Sequence, residues 1–160
     1  MNLRDGSVEH GLVETAAWVF NPDPSVDIAV CPTNVPPEGH EIQHIHMELE
    51  IADDEVFQQE QIGFGDEIFM AGMFTRHIGT TTNVPIVRTG TLAAIPTEKV
   101  HTNRGFVHAY LVETRSIAGL SGSPVFLHMA SLRVMSDGQV HASKGRTHYF
   151  LGVMQGRHVT

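Results

Sequence analysis

The chain has 160 residues and a formal charge of −8, which suits one domain or two small subdomains and argues against a nucleic-acid partner, since that calls for basic patches. Apolar residues at 41% and charged residues at 18% are enough for a core beneath a moderately polar surface. No apolar run approaches a membrane helix in length, and Cys31 is the one cysteine, so no intrachain disulfide forms.

Asn2-Leu3-Arg4-Asp5-Gly6-Ser7 reads as a strand end followed by an Asp-Gly hairpin turn. Residues 16–20 read as the next strand. Asn21-Pro22-Asp23-Pro24-Ser25 is a turn, and Asp27 then heads a short β-branched strand over residues 27–31. Cys31 ends that run, where a buried, inert thiol is expected. Residues 32–39 are a loop. Over residues 40–51 the apolar spacing does not separate helix from strand, and Asp53-Asp54-Glu55 closes the segment.

A second unit is predicted from near Ile62. Gly63-Phe64-Gly65-Asp66 turns into an apolar strand over residues 67–72, and residues 75–83 are a polar loop. Residues 84–95 read as a strand with a bulge or bend at Gly90, and residues 106–113 as an alternating strand. Residues 125–127 form another strand, Ser136-Asp137-Gly138-Gln139 a turn, and residues 149–156 the last strand. No helical stretch of convincing length is present, and no repeat is visible. Short strands recurring between turns predict an all-β sandwich or barrel.

Gly119-Leu120-Ser121-Gly122-Ser123-Pro124-Val125-Phe126 carries the chemistry. Glycines either side of a serine permit a tight turn that a Cβ would obstruct. Such a turn lifts a hydroxyl clear of the main chain and aims neighbouring N–H groups at one point. Acyl transfer needs both, a nucleophile and donors for the developing oxyanion. The plainer alternative is a Gly/Ser turn before a strand.

Taken with Asp27-Ile28-Ala29-Val30, this stretch resembles the trypsin-like serine peptidases in their disulfide-free bacterial form, where the triad runs His, Asp, Ser along the chain. The resemblance implies a double β-barrel: a first barrel over residues 1–58, incomplete at its N-terminal end, and a second over residues 59–160. It implies Asp27 as the acid that orients the base, Ser121 as the nucleophile, and the backbone N–H groups of Gly119 and Ser121 as the oxyanion hole. Met154-Gln155-Gly156-Arg157 matches the strand that pairs with substrate backbone, which puts Gln155, Gly156 and Arg157 in the binding cleft. Arg115 matches the base of the specificity pocket, where it would favour an acidic side chain; the alternative is that it pairs with Glu113 or points to water.

The chain departs from the family pattern in three places. Ser123 stands where a glycine is more usual. Leu120 stands where the family has an acid or amide, so activation through an ion pair with a newly freed N-terminus is not expected. The family's histidine precedes the Asp-Gly hairpin, so the resemblance implies an N-terminally truncated chain that is inactive as it stands. His10 is the one histidine before Asp27, and it follows that hairpin turn; it is the alternative base.

The expected function is that of a serine endopeptidase domain acting on polypeptide through an acyl-enzyme, with no cofactor and neither nucleic acid nor membrane as partner. A lone cysteine and the lack of a charged-then-apolar pattern in the first residues favour a reducing compartment such as the cytoplasm. Two alternatives stay open: a non-catalytic β-barrel binding module, and a zinc-binding β protein that uses His40, His44 and His46.

Overall fold

The computed structural model describes residues 1–35, 38–73, 81–102, 104–115, 119–142 and 146–155. The expected all-β class is what it shows. β1 (Val19–Phe20) and β2 (Ala29–Val30) form a two-residue antiparallel ladder, and a short helix, α1 (Asp54–Gln59), follows. Then come β3 (Glu67–Met73), β4 (Pro85–Ala94), the hairpin of β5 (Val100–Thr102) and β6 (Gly105–Val107), and β7 (Leu111–Thr114). β8 (Pro124–His128), the hairpin of β9 (Leu132–Val134) and β10 (Val140–Ala142), and β11 (His148–Val153) complete the order.

Five strands make the main sheet, in the order β11-β8-β3-β4-β7, with every neighbouring pair antiparallel. Strand alternation sends every second side chain to the same face. Ile68 and Met70 of β3, Val125 and Leu127 of β8 and Leu92 of β4 are therefore buried together, with Leu120 and Met129 at the two ends of β8. Fully burying a side chain of this size contributes roughly 1.5–3 kcal/mol. The other face carries an aromatic row across β3, β8 and β11. Phe69 stacks on Phe126 with ring centroids 5.0 Å apart, and Phe150 meets Phe126 edge-on at 5.8 Å.

α1 lies where the sequence reading ended a segment. Asp53 is its N-cap, accepting the Val56 N–H at 2.9 Å, and Asp54 and Glu55 occupy the first turn. An aspartate cap and acids beside the positive end of the helix dipole start a helix. Val56 and Phe57 pack against the core cluster, alongside Ala52 and Ile62. Residues 50–52 also cover the outer edge of β11, through Phe150 N–H to the Glu50 carbonyl at 2.6 Å and Ala52 N–H to the Phe150 carbonyl at 2.9 Å.

Three further expectations change. Residues 106–113 do not form one strand: β6 ends at Val107 and β7 begins at Leu111, which leaves Phe106 exposed in its hairpin against His101. Gly90 is not the bulge, since it pairs in register with both Ile68 and Thr114, and the irregularity falls between Leu92 and Ala94. A Cβ at Gly90 would stand 2.1 Å from the Glu113 carbonyl oxygen, so close strand approach is what requires glycine there. Cys31 is half-buried rather than enclosed.

The N-terminal hairpin forms as expected. Asn2 bridges Val8, Gly6 takes φ +85°, and the Asp5 carboxylate accepts the Ser7 N–H and hydroxyl at 2.9 and 2.7 Å. Asn2 and Asn83 exchange two hydrogen bonds of 3.0 and 2.8 Å, which tie the hairpin to the approach to β4. Among the described residues, none of the buried apolar core comes from before Ala52, and Leu12, Phe20, Val30 and Met47 are exposed. Among the described residues no helix is long and apolar enough to cross a membrane.

Tyr149 of β11 donates its hydroxyl to Glu60, just past α1, at 3.3 Å. Burial, and then the neighbouring Glu60 carboxylate, push its phenol above the ordinary range. A raised folded pKa means that the unfolded chain loses this proton first as the pH climbs. The contribution is whole below the ordinary tyrosine value of about 10 and is lost as the pH rises through the folded value. The expected result is a melting temperature that falls above about pH 10, with a smaller fall in Tyr149→Phe. An identical pH profile in that variant would rule the linkage out.

Candidate active site

The turn over residues 119–123 is built from beneath. Leu120 is 3% exposed and belongs to the core cluster, so apolar burial anchors the turn at the position where the family pattern has a polar side chain. Ser123 is 8% exposed. Both lie over Gly72 of β3: a Cβ on Gly72 would stand 2.2 Å from Ser123 Oγ and 2.8 Å from Leu120 Cδ2. Gly119 and Gly122 take φ +101° and +84°, in the region that favours glycine.

Hydrogen bonds stitch the turn to the end of β11. The Gly122 N–H donates to the Met154 carbonyl at 2.7 Å, and the Met154 N–H donates to the Ser123 carbonyl at 2.9 Å. The Ser123 N–H closes the turn onto the Leu120 carbonyl at 3.1 Å. The Ser121 side chain is left exposed. Among the described residues, its hydroxyl and the N–H groups of Gly119 and Ser121 make no hydrogen bond. The turn thus presents an exposed serine, with two of its backbone donors unbonded among the described residues.

Gln155 links this turn to the acid's segment. Its side-chain amide donates to the Ser25 carbonyl at 3.4 Å, while Met154 next to it holds the Ser121 turn. Ser25 is itself buried, beneath Gly105 of β6. Asp23 accepts the Ser25 hydroxyl and N–H at 2.7 and 2.9 Å, and these bonds hold its carboxyl below the usual range. A continuous path thus runs from the Ser121 turn through residues 154 and 155 to Ser25, two residues before Asp27.

Asp27 itself is exposed and lies before β2 rather than in it. Its carboxylate meets the Arg104 guanidinium at 3.1 Å. Arg104 sits in the tight β5–β6 turn, where Thr102 Oγ1 accepts its N–H at 3.2 Å. The sequence reading missed this partner; an Asn-Arg-Gly turn between two short apolar runs was the available signal. It also missed Gly72, although a glycine inside an apolar strand is itself a sign of close approach.

Arg115 is exposed just beyond β7, with no ion pair to Glu113. β7 and β11 are opposite edges of the sheet, so Arg115 and Gln155 leave from different edges. Gly156 and Arg157 lie outside the described residues.

Among the described residues, no histidine is hydrogen-bonded to Ser121 or Asp27. His40 Nε2 meets Glu9 at 2.8 Å, His128 Nδ1 meets Glu67 at 2.7 Å, and His10 is exposed. His40, His44 and His46 are not gathered as a ligand set; among the described residues no three His, Cys, Asp or Glu side chains converge as metal ligands. No family model matches the chain, and neither does any curated protein or solved structure.

Proposed function

We propose that residues 1–160 carry the acid and nucleophile halves of a trypsin-like serine endopeptidase, with Ser121 as nucleophile. One observation carries the reading. Ser121 is exposed in a turn where, among the described residues, the N–H groups of Gly119 and Ser121 make no hydrogen bond, while the N–H groups of Gly122 and Ser123 are tied down.

In the proposed chemistry, Ser121 Oγ attacks a scissile carbonyl carbon as a base takes its proton. The carbonyl oxygen gathers charge between the Gly119 and Ser121 N–H groups, the amine leaves with the proton, and water then releases the acyl group. Removing one oxyanion donor typically costs about 2.7–4 kcal/mol of transition-state stabilisation. The base this chemistry calls for is a histidine oriented by Asp27. Residues 1–58 belong to the first barrel, residues 59–160 to the second, and the segment after β11 receives substrate backbone.

Covalent labelling tests this. A fluorophosphonate is expected to label the chain on Ser121, with the modified peptide identified by mass spectrometry, and Ser121→Ala is expected to label not at all. A label on another residue, or undiminished labelling of the variant, sinks the assignment.

A second reading has its own support. The Asp27 carboxylate is about half exposed and engaged by Arg104 at 3.1 Å, whereas an orienting acid is normally buried against its imidazole. This favours a non-catalytic binding module of the same fold. A folded, histidine-bearing protein that neither labels nor hydrolyses peptides would establish it.

A further inference from the structure

The sheet face that carries Phe69, Phe126 and Phe150 also carries a short polar row across three strands. His148 of β11 stands opposite His128 of β8. Glu67 of β3 comes next, with its carboxylate 2.7 Å from His128 Nδ1. All three residues are exposed. His148 meets the Phe126 and Phe69 rings edge-on, with centroids 6.1 and 6.3 Å away, so its ring lies on this face.

The register brings the two histidines as close as antiparallel strands allow. The Met129 N–H donates to the Thr147 carbonyl at 2.8 Å, which makes residues 147 and 129 a hydrogen-bonded pair. The two pair types alternate along a ladder, so His148 and His128 form a non-hydrogen-bonded pair. Phe150 agrees with this alternation, since its N–H and carbonyl turn outward to Glu50 and Ala52. Opposite Cα atoms in such a pair are about 4.5 Å apart, the class in which side chains approach most closely.

Both imidazoles have Nδ1 occupied. His128 Nδ1 is held by Glu67, and His148 Nδ1 lies 3.4 Å from Thr147 Oγ1. Among the described residues, Nε2 of neither ring has a partner. A carboxylate on one ring nitrogen fixes the tautomer and makes the other nitrogen a better metal ligand. The Glu67 charge and the chain's formal charge of −8 also favour a cation at this face.

We propose that His128 and His148 bind one copper(II) ion through their Nε2 atoms, with Glu67 as the positioning residue for His128. Among the described residues, no third His, Cys, Asp or Glu joins them, so water takes the remaining positions. That is not the closed tetrahedral set of a structural zinc site. Two imidazoles with open positions suit tetragonal copper(II), which also stands highest in affinity among the divalent first-row metals. The site lies on the sheet face away from the core and does not depend on the peptidase reading.

The test titrates copper(II) into residues 1–160, read by calorimetry and by electron paramagnetic resonance. The strongest site is expected to take one ion per chain and to show two coordinated imidazole nitrogens. Glu67→Ala is expected to weaken that site about ten-fold, and His128→Gln and His148→Gln each by more. His108→Gln, exposed beyond β6, should leave it unchanged. In the wild-type chain, which needs no substitution to fold, paramagnetic broadening of amide signals should centre on residues 127–129 and 147–149. Broadening centred elsewhere overturns the proposal. So do a single coordinated imidazole, a strongest site that survives either His128→Gln or His148→Gln, or an equal loss in His108→Gln. Unchanged affinity in Glu67→Ala overturns the role given to Glu67.

Discussion

A chain extended upstream to carry a histidine ahead of the Asp5-Gly6 hairpin is expected to react with a fluorophosphonate about 10²–10⁴ times faster than residues 1–160. Ser121 is exposed, but a serine hydroxyl is a weak nucleophile until a base takes its proton. Among the described residues no imidazole is hydrogen-bonded to it, and the nearest expected alternative, His10, is exposed. Donors alone leave a residual rate, roughly 10³–10⁴ over water in well-studied triads. Residues 1–160 should therefore label slowly rather than never, and Ser121→Ala should abolish labelling in both lengths. The extension is also expected to free Asp27 from Arg104 as the imidazole takes its place, so Arg104→Ala should leave the fast rate intact. If residues 1–160 already react at the fast rate and His10→Ala removes it, the base has been placed wrongly.

The strands of the main sheet were legible because their side chains alternate. Ile68 and Met70, or Val125 and Leu127, declare a buried face by period two alone. The Ser121 turn was legible for a different reason: glycine on both sides of a serine has few other uses. What escaped were features set by partners distant in sequence. Nothing local to Asp27 says that Arg104 will meet it. Asp53-Asp54-Glu55 reads equally well as the close of one segment or the cap of a helix, and the pairing of residues 50–52 with Phe150 decides between them. Gly90 looked like a bend because glycine in a strand often is one; the crossing of Glu113, far along the chain, is what requires it.

Gly72→Ala is expected to damage fold and site together. The added methyl would stand 2.2 Å from Ser123 Oγ and 2.8 Å from Leu120 Cδ2. The leucine tip can rotate, but Ser123 is held at both ends: its N–H bonds the Leu120 carbonyl and its carbonyl accepts the Met154 N–H. Relief then has to come from moving the turn. Overpacking of this kind typically costs about 1–3 kcal/mol, which a urea titration would read as a lowered midpoint. The labelling rate should fall further than stability, because the shift displaces the Gly119 and Ser121 donors. Gly63→Ala is the matched control, since nothing lies within 4 Å of its added methyl; a change within about 0.5 kcal/mol is expected there. Adding Ser123→Gly to Gly72→Ala should restore much of the loss by removing the group that is struck. No rescue, or no effect of Gly72→Ala at all, would show that the turn does not rest on β3.

The apolar core begins at Ala52, while Leu12, Phe20, Val30 and Met47 face water. In terms of hydrogen exchange, the chain therefore has two tiers. Amides of Ile68, Met70, Val125 and Leu127 lie in a sheet that opens only when the whole core does, and they exchange through global unfolding. Val19 and Val30 share a two-residue ladder with both side chains exposed, so their amides exchange through local opening at far lower cost. The boundary falls near residue 50, where the backbone first joins β11. Asp27 sits in the loose tier and Ser121 on the rigid one, so the proposed triad would form by docking the first onto the second, and substrate or inhibitor binding across the two would then show itself as newly slowed exchange around Asp27.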